Sequence, residues 1–350
     1  MSHPMKSTNV RATRGAPPLL RLGFGALGAV APPLAARLAE RLFLTPPRHR
    51  APERERAVLA SGRRFDVPLA GKRLVAWSFG QGPPVLLVHG WGGRGGQLAS
   101  FVEPLVVAGL FAVTFDAPGH GLSSGRQSSL PELALAVTRV AESVGPLHGL
   151  VGHSMGASAA SVAIADGLPV GRAVLIAPPA DAAEFYGRFA RAIGISADVG
   201  RETRRRIEDR FLVSWSKLNA ERLGPRLELP LLVIHDRGDP EVPWIDGAVI
   251  ADACPNATLY TTDGLGHRRV LRDPDVLAAA VGFLRAGVPE AVRCARPGCP
   301  NVLTDRWDDG GDLCARCGIE LELYDRSSRW GSRESRVESR ESKSTPRINS

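Results

Sequence analysis

Leu150-Val151-Gly152-His153-Ser154-Met155-Gly156 is the stretch on which the reading of this chain turns. It fits Gly-x-Ser-x-Gly. Upstream, His148–Val151 is a short apolar run that reads as a buried strand, and downstream Ala157–Ala165 is small, apolar and helix-like. A serine between strand and helix sits on a sharp turn that pushes its side chain into the open. Glycines two before and two after it are needed because a Cβ there would meet the neighbouring strand and helix. With 38 glycines in 350 residues the pattern alone is weak, and a glycine-rich turn carrying an idle serine would also match it. The flanking sequence has to decide.

Toward the N-terminus, Arg63–Leu69 and Arg73–Phe79 read as an antiparallel hairpin at a sheet edge, separated by Ala70-Gly71. Val85–Val88 is an uninterrupted apolar run, as expected of a strand covered on both faces. Helices are predicted over Gln97–Ala108 and Leu130–Ser143, with a strand at Phe111–Phe115 between them. Beyond the serine, strands are predicted at Arg172–Ile176, Leu231–Ile234 and Ala257–Thr261, and a closing helix at Pro274–Leu284. This alternation predicts an α/β fold with a mostly parallel sheet and helices on both faces. One interval breaks it. Residues 180–229 hold helical patterns around Ala182–Ile193 and Arg201–Leu218, expected to form a cap over the serine. Phe185, Phe189, Ile193, Phe211 and Trp215 either line an acyl pocket or simply pack the cap onto the body.

A serine hydroxyl needs a base to take its proton and a carboxylate to orient that base. Both follow in the order serine, acid, histidine. Asp239 lies in the loop beyond strand Leu231–Ile234, with Asp236 as the competing acid. His267 follows the last strand in Asp263-Gly264-Leu265-Gly266-His267, with His120, His153 and His235 as competing bases. An oxyanion requires two N–H donors. The expected donors are the amide of Met155, first in the helix after the serine, and that of Trp91 in His89-Gly90-Trp91-Gly92-Gly93.

His89-Gly90-Trp91, Asp116–Ser123, Gly152–Gly156, Asp239–Pro243 and Gly266-His267 stand in an order that resembles the α/β-hydrolase superfamily over roughly residues 60–286. The resemblance implies that fold and an ester, thioester or similar acyl bond as the target, with Asp116–Ser123 as a structural turn beside the site. Asp236 stands where such proteins commonly show glycine, which leaves Asp236 and Asp239 both open. Carboxylesterase is the first expectation, requiring no catalytic cofactor. The alternatives are an acyl thioesterase and a non-catalytic binding protein of the same fold.

Cys294-x4-Cys299 and Cys314-x2-Cys317 have the paired spacing of a zinc ribbon, and Cys254 stands apart. Four thiolates would close the shell of a structural zinc, with disulfides or free thiols as the competing readings. The acids from Asp305 to Glu322 disfavour nucleic acid as its partner and leave a stabilising or protein-contact role. The expected organisation is a basic arm over residues 1–60, a hydrolase domain over 61–287, a zinc ribbon over 288–325 and a disordered tail over 326–350.

The net charge of +8 is concentrated at one end: residues 1–64 hold 12 Lys and Arg against three acids, and the remainder is close to neutral. Basicity therefore belongs to the arm and argues little about the substrate. The first 18 residues are expected to be disordered. Leu34, Leu38 and Leu42 recur at helical spacing before Pro46-Pro47, predicting an amphipathic helix. Its apolar face either packs on the hydrolase body or rests on an anionic membrane surface. No apolar run is long enough to span a bilayer: the best, Leu22–Ala36, is interrupted by Pro32 and Pro33. The expected location is cytoplasmic, or peripheral to a membrane.

Overall fold

Seven of eight strands run in one direction, because short turns on both sides of the second strand reverse it alone and every strand after the third is reached through a crossover. The computed structural model describes residues 17–286. Its strands are β1 (Arg63–Leu69), β2 (Lys72–Phe79), β3 (Pro84–Val88), β4 (Phe111–Phe115), β5 (Leu147–His153), β6 (Val170–Ile176), β7 (Leu231–Asp236) and β8 (Ala257–Thr262). They form one sheet in the order β1-β2-β4-β3-β5-β6-β7-β8, with β2 antiparallel to both its neighbours and β4 through β8 parallel. The α/β architecture expected from the alternation is the one found.

The helices are α1 (Pro18–Val30), α2 (Pro32–Phe43), α3 (Glu53–Ser61), α4 (Ala99–Val107), α5 (Leu130–Val144), α6 (Met155–Ala165), α7 (Ala182–Ile193), α8 (Ala197–Phe211), α9 (Ala220–Leu223), α10 (Trp244–Ala253), α11 (Gly266–Arg269) and α12 (Pro274–Ala286). Strand β5 shows how both faces are covered. A Cβ on Gly149 would lie 2.5 Å from Leu284 of α12, whereas one on Gly152 would lie 2.6 Å from the Ala157 backbone of α6. Odd and even positions thus face different helices, as the period of a strand requires. Val85, Leu87, Val151, Val174 and Ile234 join Phe101, Leu105, Val276 and Phe283 in the core on the α4/α12 side.

The cap inserts between β6 and β7 as α7, α8 and α9, opened by Asp181, whose carboxylate accepts from the Ala183 amide at 2.7 Å. Helices α1 and α2 of the N-terminal arm pack on this cap, whereas Val58 and Leu59 of α3 pack on the core of the body. Ala35 and Ala36 bury against Val199 of α8, and Phe24 and Ala39 against Ile193 of α7. Glu40 is buried and accepts from Arg206 at 2.8 Å and Arg210 at 3.2 Å. Here one expectation needs correcting. The helix over Leu34–Leu42 exists, but its leucine stripe is turned largely outward. Leu34, Leu38 and Leu42 are 48%, 42% and 40% exposed. The face that packs carries Ala35, Ala36 and Ala39, because small side chains let α2 and α8 approach closely. Ile193, one of the candidate pocket residues, serves this arm–cap contact instead.

These elements belong to one compact unit. Cys294, Cys299, Cys314 and Cys317 lie outside the described residues, as do the tail and the first 16 residues. Cys254 is buried, and burial pushes its thiol up to about 12, so it is an inert core residue.

Candidate active site

Ser154 sits between β5 and α6 with φ 53° and ψ −124°, a left-handed conformation that costs a non-glycine residue about 1–3 kcal/mol. The turn is held by the Ser154 amide, which donates to the Ile176 carbonyl at 2.8 Å, and by the amides of Ala157 and Ser158, which donate back to the Ser154 carbonyl. Gly156 is obligatory here, since a Cβ on it would come within 2.4 Å of the His89 carbonyl oxygen. The first turn of α6 is thereby pressed against the His89–Gly93 loop. A Cβ on Gly90 would meet Ser154 Cβ at 3.1 Å. Trp91 and Met155 both border the cavity that Ser154 faces. The Met155 amide, in the first helical turn, has no carbonyl four residues back inside the helix to bond.

The structure separates the two acids. Asp239 Oδ2 is 2.7 Å from His267 Nδ1, and Asp239 Oδ1 accepts from the amides of Glu241 and Val242 at 2.8 and 3.0 Å. Burial pushes the Asp239 carboxyl up, but hydrogen bonds from His235 and His267 outweigh it and hold the group well below the usual carboxylate range. Asp236 faces elsewhere. It accepts from the Gly238 amide at 3.0 Å and from Thr262 Oγ1 and the Leu265 amide at 2.8 Å each. It is a loop cap that positions the segment leading to His267. His267 is buried, and its carbonyl accepts from His153 Nε2 at 2.9 Å, which ties the histidine loop to the residue before the serine.

The competing histidines, and His89 beside them, have structural partners. His89 Nδ1 donates to the Gly90 carbonyl at 2.8 Å while its Nε2 accepts from the Ala117 amide at 2.9 Å. His120 Nδ1 donates to the Pro118 carbonyl at 2.9 Å and its Nε2 accepts from the Gly92 amide at 3.1 Å. Both pin the loop carrying Trp91 to the Asp116–Ser123 turn, and both bonding patterns need a neutral ring. Burial, chiefly, lowers His89 to about 4 and His120 to about 3, with the charge of His89 adding to the second. His153 is lowered to about 3 by burial and then by neighbouring His267. His235 Nε2 faces the Val242 carbonyl at 3.1 Å and Asp239 Oδ2 at 3.6 Å, so it supports the acid from behind.

In front of Ser154 lies a cavity of about 170 Å³. Phe185, Phe189, Phe211 and Trp215 of the cap line it, one of the two readings the sequence left open. Leu42, Phe43 and Leu44 of the arm also form its wall, which the sequence did not announce. Phe43 stacks on Trp215 at 5.9 Å between ring centroids and meets Tyr186 edge-on at 5.3 Å. The one available signal was position: Phe43 lies opposite the leucine stripe on the same helix. Ser128 and Ser129, at the start of α5, complete the wall beside Leu44. Among the described residues, no group of three or more His, Cys, Asp and Glu is arranged to hold a metal ion.

Comparison with known proteins agrees with this geometry. A family model described as "Alpha/beta hydrolase family" matches residues 85–280. The chain belongs to the alpha/beta hydrolase family. A serine hydrolase-like protein of Danio rerio is 36% identical over 108 residues, covering 29% of this chain and 33% of the relative. One of Homo sapiens is 33% identical over 103 residues, covering 28% of this chain and 50% of the relative. The chain thus spans a third to a half of the length of these curated relatives. Among solved structures, an esterase of Pyrococcus furiosus superposes with a TM-score of 0.55 at 18% identity, covering 70% of this chain and all (100%) of that one. A putative lipase of Acinetobacter baumannii gives 0.51 at 17% identity, covering 66% and 93%. At such identities these neighbours speak for the fold alone.

Proposed function

We propose that this chain is a serine hydrolase that cleaves carboxylic esters through an acyl-enzyme, with Ser154, His267 and Asp239 as its triad. The observation that carries the proposal is the His267–Asp239 hydrogen bond of 2.7 Å beside a serine held at positive φ. Ser154 Oγ attacks the acyl carbonyl while its proton passes to His267 Nε2. Asp239, kept ionised, holds the imidazole in the tautomer whose Nε2 is free to accept. The amides of Trp91 and Met155 receive the negative charge on the carbonyl oxygen. Collapse of the tetrahedral intermediate expels the alcohol, which takes the proton from His267. Water, deprotonated by the same histidine, then attacks the acyl-enzyme and releases the acid and Ser154.

The aromatic and aliphatic wall supports an apolar acyl group. A cavity of about 170 Å³ is close to the ~150 Å³ apolar cavity that accommodates benzene, so an aryl group or a chain of about six carbons fits it. That wall leaves the leaving group open, and a thioester differs from an ester only there.

Labelling with a fluorophosphonate tests the proposal. Wild type labels, Ser154→Ala does not, and His267→Ala labels at least about 10³-fold more slowly. A folded wild type that takes no label overturns it and leaves a binding protein of this fold. Paired esters and thioesters sharing one acyl group then identify the preferred leaving group.

A further inference from the structure

The arm that completes the cavity carries an unusual outer surface. Of twelve large hydrophobic side chains exposed among the described residues, seven lie between Leu19 and Leu42. Leu19, Leu22 and Val30 of α1 are 83%, 70% and 87% exposed, although that helix carries a single charge, Arg21. On α2 the exposed stripe is Leu34, Leu38 and Leu42, bordered by exposed Arg37 and Arg41 one turn apart. Neither helix is long and apolar enough to cross a membrane. Exposed apolar area at this density needs a cover.

Charge decides what kind. From Met1 to Pro52 the chain holds eight Lys and Arg against one acid, Glu40. That acid is buried and turned inward onto Arg206 and Arg210. The outward side of the hairpin therefore offers leucines and unopposed positive charge together. Leucines that enter an acyl boundary, with arginines at its edge meeting anionic headgroups, are the chemistry of a helix lying in a bilayer interface. A protein partner or a second copy would have to supply matching acids. A second copy offers no net negative charge for it, since the arm is basic and the remainder of the chain close to neutral.

We infer that the α1–α2 hairpin docks this protein on an anionic phospholipid surface through Leu19, Leu22, Leu34 and Leu38, with Arg37 and Arg41 on headgroups. Leu42 belongs both to the exposed stripe and to the cavity wall, so docking brings the wall of the cavity to the lipid. The inference concerns attachment and stands whether or not Ser154 is a nucleophile.

Co-sedimentation of the full chain with vesicles tests it. Wild type and Ser154→Ala pellet with phosphatidylserine-containing vesicles and much less with pure phosphatidylcholine. Leu34→Glu/Leu38→Glu lowers partitioning about 100-fold, roughly 10-fold per leucine. Arg37→Ala/Arg41→Ala lowers it about 30-fold on anionic vesicles only. Both variants keep the wild-type melting temperature and circular dichroism, since the four side chains are exposed. Three results overturn the inference: no pelleting of wild type, equal pelleting of the variants, or a wild-type dimer that Leu34→Glu/Leu38→Glu splits without any vesicle binding. The last would assign the face to a second copy.

Discussion

Asp236 and Asp239 stand three residues apart and are identical in chemistry, so only their partners can distinguish them. Asp239 gives one oxygen to two amides and the other to His267; Asp236 gives one oxygen to the Gly238 amide of its own loop and the other to Thr262 and Leu265, on the segment that presents His267. Asparagine substitution separates these duties. Asp239→Asn keeps the shape but presents the wrong imidazole tautomer, and we expect kcat to fall about 10⁴-fold with little change in KM. Asp236→Asn turns an accepting oxygen into a donor facing a donor. We expect a loss of about 1–3 kcal/mol in urea unfolding, with kcat of the folded fraction reduced far less than in Asp239→Asn. Equal kcat losses in the two variants would contradict this division. The sequence placed Asp239 first and kept Asp236 as its competitor, because a local pattern does not encode contacts across 28 residues.

At the scale of elements, the sheet was legible and the arm only partly so. Parallel strands covered on both faces must be continuous apolar runs, and Phe111–Phe115 matches its prediction residue for residue. Helix α7 does likewise. Helices α1 and α10 went unread for different reasons. Glycines at 23, 25 and 28 obscure α1, and Pro240 and Pro243 give the start of α10 the character of a loop. For α2 the helix was legible and its inner face was not. Leucine outranks alanine in any hydrophobic ranking, yet closeness to α8 required the alanines. Phe43 is the anchor of this arrangement. We expect Phe43→Ala to destabilise the chain by about 2 kcal/mol, below the range for a fully buried aromatic. It should also shift ester preference toward longer acyl chains, measured as kcat/KM across an acyl series. Unchanged chain-length preference would remove the arm from the cavity wall.

At the scale of the whole molecule, three of the buried histidines are held neutral at a mildly acid pH that charges them in an unfolded chain. His89 is lowered to about 4, and His120 and His153 to about 3. Their folded values lie below the unfolded value of about 6.5. Between the two, the unfolded chain binds protons that the folded chain does not. Stability is therefore complete above about pH 6.5 and declines as pH falls toward 4, with each histidine contributing up to about 1.4 kcal/mol per pH unit. Asp239 works lower down: its contribution is present above the ordinary carboxylate range and fades as pH falls through it. We expect the urea midpoint to drop steeply between pH 6.5 and 4.5, and the drop to be shallower in a folded His120→Asn variant. A flat profile over that window would show that the three rings charge freely in the folded state.

The contact between Glu40 and Arg210 joins residues 170 positions apart. A ribosome working at roughly 5–20 residues per second needs about 10–30 s to travel that distance. During that interval the α1–α2 hairpin is already synthesised, its alanine face as bare as its leucine face, while the cap that will receive it is still incomplete. The cavity in front of Ser154 therefore acquires the wall made by Leu42, Phe43 and Leu44 only after α8 has emerged.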